Sequence, residues 1–260
     1  MKKIIFILAP AFALLFASCE KEDIRTADTN QVVVEAFMHT GDTVKLKITR
    51  QFVYDTDATS FEPVSGLDIS ISDGTANYAL QSTGSGNYTS TLVAQSGKSY
   101  TLSFDYFGKK VLASCTAPVA PVNLKTSAPS IRYNPMLSTD TFRFVTVRWQ
   151  NPESDYYFAT VSCQESNPTP VMTGFYTATS TTIEPVKADS FRLPDRMFRY
   201  YGKHRVVLYH VNAEYAQLYK KYSSNAESLT NPPTNIANGL GIFTAFSTDT
   251  VWISVIKRTS

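Results

Sequence analysis

Apolar and polar residues alternate along most of this chain. In DTVKLKITRQF, Val44, Leu46 and Ile48 alternate with Lys45, Lys47 and Thr49. That period of two puts one face of a strand in a core and the other in water. The preceding QVVVEAFM reads as a partner strand, with Thr40 and Gly41 supplying the turn. Leu67, Ile69 and Ile71 repeat the pattern in LDISISDGTANYALQ, where Asp73 and Gly74 signal a hairpin. SGNYTSTLV and SYTLSFDYFGKKVLASCTA complete about seven strands before Pro118 and Pro121. Turn signals about every 8 to 12 residues, with almost no helical period, predict an all-β sandwich of immunoglobulin-like or transthyretin-like type.

After the APVAP punctuation a second unit begins. DTFRFVTVRWQNP sets Phe142, Phe144, Thr146 and Arg148 opposite Arg143, Val145, Val147 and Trp149, and DYYFATVSCQES follows as its hairpin partner. A strand ending in Trp149 before an aromatic strand resembles the middle of fibronectin type III modules, which predicts a second sandwich in tandem with the first. RYYGKHRVVLYHVN adds a strand, and then the period changes. Tyr215, Leu218, Tyr219 and Tyr222 fall at i, i+3, i+4 and i+7 with Asn212 at the N-cap position, predicting a helix over about 213–225 that packs on the sheet or meets a partner through its tyrosines. NPPTNIANGLGIF reads as a loop delivering IFTAFSTDTVWISVI, a closing hairpin.

One apolar run does not alternate. Lys2 and Lys3 precede Ile4–Phe16, a stretch interrupted by Pro10 and followed by Ala17 and Ser18. This is the pattern of a secretory signal, and it is far short of the ~20 residues of a membrane-spanning helix. The order FASC resembles the lipobox of bacterial lipoproteins. The resemblance implies cleavage before Cys19, with a diacylglyceryl group on its sulfur and a fatty acid on its new amino terminus. Glu20, Lys21, Glu22 and Asp23 resemble the signal by which Bacteroidota send lipoproteins to the outer face of the outer membrane. The expected organisation is a signal over 1–18, a lipidated tether over 19–30, an N-terminal sandwich over 31–118 and a C-terminal sandwich over 119–260.

Charge narrows the partners. The chain carries 24 basic and 22 acidic side chains; removal of residues 1–18 takes away two lysines and no acids, leaving the mature chain formally neutral. No basic surplus remains to drive phosphate binding, so nucleic acid is not an expected partner. The two cysteines beyond Cys19 alternate with polar residues in strand-like stretches, Cys115 behind Val111 and Ala113, Cys163 behind Tyr157, Ala159 and Val161. An oxidising compartment permits a disulfide between Cys115 and Cys163, and two buried free thiols are the alternative.

Candidate chemistry is sparse. Asp55 and Asp57 sit in a loop without the glycine and distal glutamate of an EF-hand. His204 and His210 share one strand face, roughly 20 Å apart in an extended chain, too far to share a metal and expected at the surface or rim. Asn238–Gly241 has no following helix and no third glycine, so it is not a dinucleotide fingerprint. No GxSxG elbow occurs, and no histidine stands in a local context that makes it a base for a serine. No catalytic residue, cofactor or metal is expected.

VVVEAFMHTGDTVKLKITR, FEPVSGLDISISDG, GNYTS, YTLSFDYFGKKVLAS and above all NPPTNIANGLGIFTAFSTDTVWISV, in that order after the lipobox, resemble the Bacteroidota outer-membrane lipoproteins of domain of unknown function 4249. The resemblance implies a lipid-anchored protein encoded beside a TonB-dependent receptor of the SusC type, and brings no catalytic residues. The expected role is a non-enzymatic accessory or ligand-binding component of that transporter. A fimbrillin-like or adhesin subunit is the structural alternative.

Overall fold

The computed structural model describes residues 31–51, 61–133, 144–171, 178–218 and 233–257. The first seven strands are β1 (Val32–His39), β2 (Thr43–Arg50), β3 (Ile69–Ser72), β4 (Asn77–Gly84), β5 (Asn87–Val93), β6 (Ser99–Tyr106) and β7 (Lys109–Thr116). They follow the alternation closely: Val44, Leu46 and Ile48 are buried, and Lys45 and Lys47 face out. The Asp73 turn forms as expected. Its carboxylate accepts from the Thr75 hydroxyl and from the Thr75 and Ala76 amides, which holds its pKa down at about 2.

The second half contributes β8 (Val122–Thr126), β9 (Ser130–Tyr133), β10 (Phe144–Gln150), β11 (Tyr156–Cys163), β12 (Ser180–Lys187), β13 (Ser190–Pro194), β14 (Gly202–Val211), a helix α1 (Ala213–Gln217), β15 (Ile236–Ala237) and β16 (Leu240–Lys257). The expected closing hairpin is instead one 18-residue strand. A hairpin needs a turn, yet the polar stretch Ser247–Thr250 at its middle holds no glycine, asparagine or proline and two of its four residues are β-branched. It runs straight through against β14, from Phe246 opposite Val211 to Val255 opposite Gly202.

This strand joins the two halves. Leu240–Phe246 pairs in parallel with β1, Phe246–Val255 antiparallel with β14, and Ser254–Lys257 in parallel with β9. The result is one large sheet, ordered β12-β11-β14-β16-β1-β2-β5-β4-β3-β6-β7-β15, and a separate three-stranded sheet β13-β10-β8. The large sheet folds back through β4, whose first half pairs with β3 and whose second half pairs with β5.

Two cores result. The first lies between the folded-over halves of the large sheet and holds Met38, Ile48, Tyr88, Tyr100 and Leu102. The second lies under the three-stranded sheet and holds Val147, Trp149, Tyr157, Leu193, Leu208 and Ile253. The fold is all-β and sandwich-like. Its first core is not closed by residues 31–118 alone, because Ile236, Phe243 and Ala245 belong to it as well. A boundary drawn at the prolines assumes that each core is contiguous in sequence, and β15 and β16 return across it.

At the first sandwich's Gly86-Asn87-Tyr88 corner, the Tyr88 hydroxyl donates to the Val64 carbonyl at 2.9 Å and accepts from the Leu67 amide at 3.3 Å. A side chain on Gly86 would collide with the Ile48 carbonyl. The corner thus pins the loop before β3 to the end of β2.

Candidate functional site

Cys19, Glu20, Lys21, Glu22 and Asp23 lie outside the described residues, as do Asp55, Asp57, Tyr219 and Tyr222. Cys115 and Cys163 are both free and buried, so the permitted disulfide is not formed. The Cys115 thiol faces the first core and Cys163 stands on β11 of the second sandwich. Burial first, and the charge of Glu214 second, push Cys115 up to about 12. It is a packing residue with no nucleophilic role at neutral pH.

The histidines were expected at the surface or rim. His204 and His210 are instead buried, at 2% and 5% exposure, because β14 is a central strand covered on both edges. Burial lowers the His204 pKa, against the raising effects of the Gly202 carbonyl and Glu165. The His210 ring stacks on Tyr157 at 4.4 Å. Its Nδ1 faces the Val119 carbonyl at 2.8 Å and its Nε2 faces the Asp155 carboxylate at 3.1 Å. Burial, with the nearby Asp155 charge, pushes Tyr157 up to about 12. His210 therefore ties the linker between the sandwiches to the β10–β11 loop, at the back of a cleft of about 370 Å³ that also takes in Glu153, Lys187 and Asn212. Asn212 does not cap α1. Its amide donates instead to the Thr116 carbonyl of β7 at 3.0 Å.

His39 makes an arrangement that no local pattern announced. Its Nδ1 meets Asp42 Oδ2 at 2.9 Å and its Nε2 meets Thr248 Oγ1 at 3.0 Å, the order of orienter, base and hydroxyl found in acyl-transfer triads. Such chemistry also needs free amide donors for the oxyanion. The amides of this turn are spent: Thr40 donates to Phe246, Gly41 to Ala94 and Asp42 to His39. The cluster fastens the β1–β2 turn to β16 and is a structural clasp.

The outer face of the large sheet is the more promising surface. Phe158 and Tyr209 stack at 4.2 Å, Tyr209 meets Phe246 at 5.8 Å, and Phe246 meets His39 at 5.2 Å. Tyr215 of α1 lies on Phe158 at 5.5 Å and meets Phe37 edge-on at 6.0 Å. Tyr215 thus packs on the sheet, whereas Leu218 is 41% exposed. The row crosses β11, β14, β16 and β1 and so spans both sandwiches. At one end it reaches a shallow hollow of about 550 Å³ lined by Phe37, Lys45, Lys47, Asn87 and Thr89. Further along the same face Trp252 is 42% exposed under the Lys203 ammonium at 4.1 Å. Sequence reasoning found only Tyr215 in this row, since its members come from five separate stretches.

Among the described residues no group of three or more His, Cys, Asp or Glu side chains can hold a metal ion, and no helix is long and apolar enough to cross a membrane. The sequence profile of the family described as domain of unknown function (DUF4249) matches residues 20–251. The chain belongs to this family. No curated protein matches this DUF4249 chain. Among solved structures it is similar to a chimeric titin Z1Z2 functionalized with an exogenous decorin peptide, at 9% identity over 90% of this chain and 100% of that one, with a TM-score of 0.22. It is also similar to the titin Ig tandem A164-A165, at 10% identity over 88% and 98%, with a TM-score of 0.23. At such scores these likenesses add nothing to the fold described above.

Proposed function

We propose that this DUF4249 chain is an outer-membrane lipoprotein, acylated at Cys19 and carried to the cell exterior by Glu20–Asp23. There it acts without catalysis as an accessory or ligand-binding component of a TonB-dependent transporter of the SusC type. The lipobox-like FASC order supports the anchor. The observation that supports a contact role is the outer sheet face, where an aromatic row crosses both sandwiches and Phe37 and Trp252 stay open to solvent. Aromatic side chains supply large contact area at low entropy cost, as binding surfaces require.

The test is affinity capture of the tagged, full-length lipoprotein from solubilised outer membrane. A SusC-like receptor is expected in the eluate, and it should be lost when Phe37 and Trp252 are both replaced by serine. Recovery of no such receptor overturns the transporter reading. A ladder of covalent or detergent-resistant polymers would favour the fimbrillin-like alternative.

A further inference from the structure

The chain enters the folded unit at one end of the first sandwich, and the features of that end form a set. The Gln31 carbonyl accepts from the Gln51 amide, and Val32 lies opposite Arg50. Arg50 reaches Glu62 at 3.0 Å in the loop before β3 and lies beside the Tyr106 hydroxyl at the tip of the β6–β7 hairpin. Asn238 donates to the Lys110 carbonyl on the same hairpin, and the adjoining Gly239 abuts Val32. The entry point, the loop at Phe61 and the β6–β7 tip are therefore neighbours.

This end carries two exposed phenylalanines. Phe107 is 68% exposed, the highest value for a large hydrophobic side chain among the described residues, and Phe61 is 56% exposed. Phe107 also has a backbone φ of 45°, whereas the other non-glycine residues with positive φ are serines and asparagines. Two-residue hairpin turns of this kind favour asparagine before glycine, because a bulky side chain is disfavoured there. A ring held at a conformational cost, edge-on to Tyr106 at 4.7 Å and mostly open to solvent, gains little from its own fold. Exposed Lys109 and Lys110 follow it after Gly108.

Eleven residues, Glu20–Asn30, lie between the Cys19 attachment point and Gln31. The twelve peptide units of that span reach at most about 43 Å. The Gln31 end is thus the part of the globule that the anchor holds nearest to lipid.

We propose that this end is a membrane-facing surface, with Phe107 and Phe61 seated at the headgroup–acyl boundary and Lys109 and Lys110 at the level of the phosphates. The inference rests on the lipoprotein reading given above. Aromatic rings prefer that boundary, and lysine stems reach along it while their ammonium groups stay wet. Since the acyl chains already hold the protein at the surface, this contact has only to set its orientation. The consequence is an upright molecule. β16 starts beside β1's entry end and runs away from it for roughly 55 Å, which lifts the second sandwich and the aromatic outer face off the bilayer toward a partner.

The experiment uses the full-length acylated protein in phosphatidylethanolamine–phosphatidylglycerol vesicles whose lipids carry a nitroxide high on the acyl chain. Phe107→Trp is compared with Phe144→Trp, an exposed position at the start of β10 in the second sandwich; both retain the same two native tryptophans as background. The F107W protein should gain blue-shifted emission that the nitroxide quenches, and the F144W protein should not. As a second probe, Lys110→Cys is labelled with an environment-sensitive dye, the native Cys115 and Cys163 being buried; its emission should also be quenched. Vesicle-bound, acylated protein in which the F107W and K110C probes behave like the F144W control overturns the orientation alone. Mass spectrometry that finds Cys19 unacylated overturns the lipoprotein reading and this inference with it.

Discussion

Acid should destabilise this protein through His204 before its carboxylates begin to protonate in number. The ring is 2% exposed, in the second core, edge-on to Phe198 at 5.3 Å and facing the Gly202 carbonyl at 3.2 Å. Burial holds its folded pKa below the ordinary 6.5. In the unfolded chain the imidazole takes up its proton near that ordinary value, so between the two pKa values the unfolded state binds more protons. Stability is therefore fully present above about pH 6.5 and falls as pH drops toward the folded pKa, at no more than about 1.4 kcal/mol per pH unit for one proton. The assay is urea unfolding from about pH 7.5 to about pH 5, run on the wild type and on His204→Gln, which keeps a donor for Gly202 but cannot titrate. Contributions from every other group, common to both proteins, cancel in the difference between the curves. The wild type should lose stability relative to His204→Gln as pH falls. A gap between the two proteins that stays constant across the range would refute the reasoning.

Tyr88→Phe removes the hydroxyl that joins Val64 to Leu67 and leaves two polar groups of the corner without that partner. It should cost about 2 kcal/mol and lower the melting temperature by about 4–8 °C in calorimetry. Gly241→Ala places a Cβ against the Val34 carbonyl at a φ of +99° and should cost more than about 2 kcal/mol in urea unfolding; an unchanged midpoint would mean that β1 and β16 do not pack as closely as described. Phe107→Asn should leave the fold intact and stabilise it by about 0.5–1 kcal/mol, read as a higher urea midpoint, because asparagine tolerates that turn conformation. Cys115 should resist an aromatic disulfide reagent at mildly alkaline pH until urea unfolds the chain; fast labelling of the native protein at this position would contradict its burial.

Most of the first seven strands were legible because each buries one face, and burial on one face writes itself into every second residue; β4, where Leu80 alone is buried, is marked instead by the Asp73–Gly74 turn before it. The strands that escaped notice lack that mark. β12 alternates only between half-buried and exposed positions, and β8 has no fully buried residue. The closing strand was misread because strand continuity there is set by β14 and β1, not by the local composition of Ser247–Thr250. Asn212 fits an N-cap by sequence, but the Thr116 carbonyl that claims its side chain lies 96 residues away. The same distance effect hid the candidate surface. Cys19 could be singled out because the FASC order that resembles a lipobox is contiguous, whereas Phe37, Phe158, Tyr209, Tyr215 and Phe246 become neighbours only when four strands and a helix have been placed.

The long last strand also sets an order of events. The β1–β16 pairing joins Val33 to Leu240, and the same strand supplies Ile253 and Val255 to the other core. Neither sandwich has its full complement until the final residues of the chain arrive. The first sandwich cannot be completed during synthesis while the rest follows, as tandem modules usually are. Its exposed β1 edge must wait, and closing such a remote contact is slow. A chain with this architecture matures all at once, and a truncation of β16 should cost both halves together.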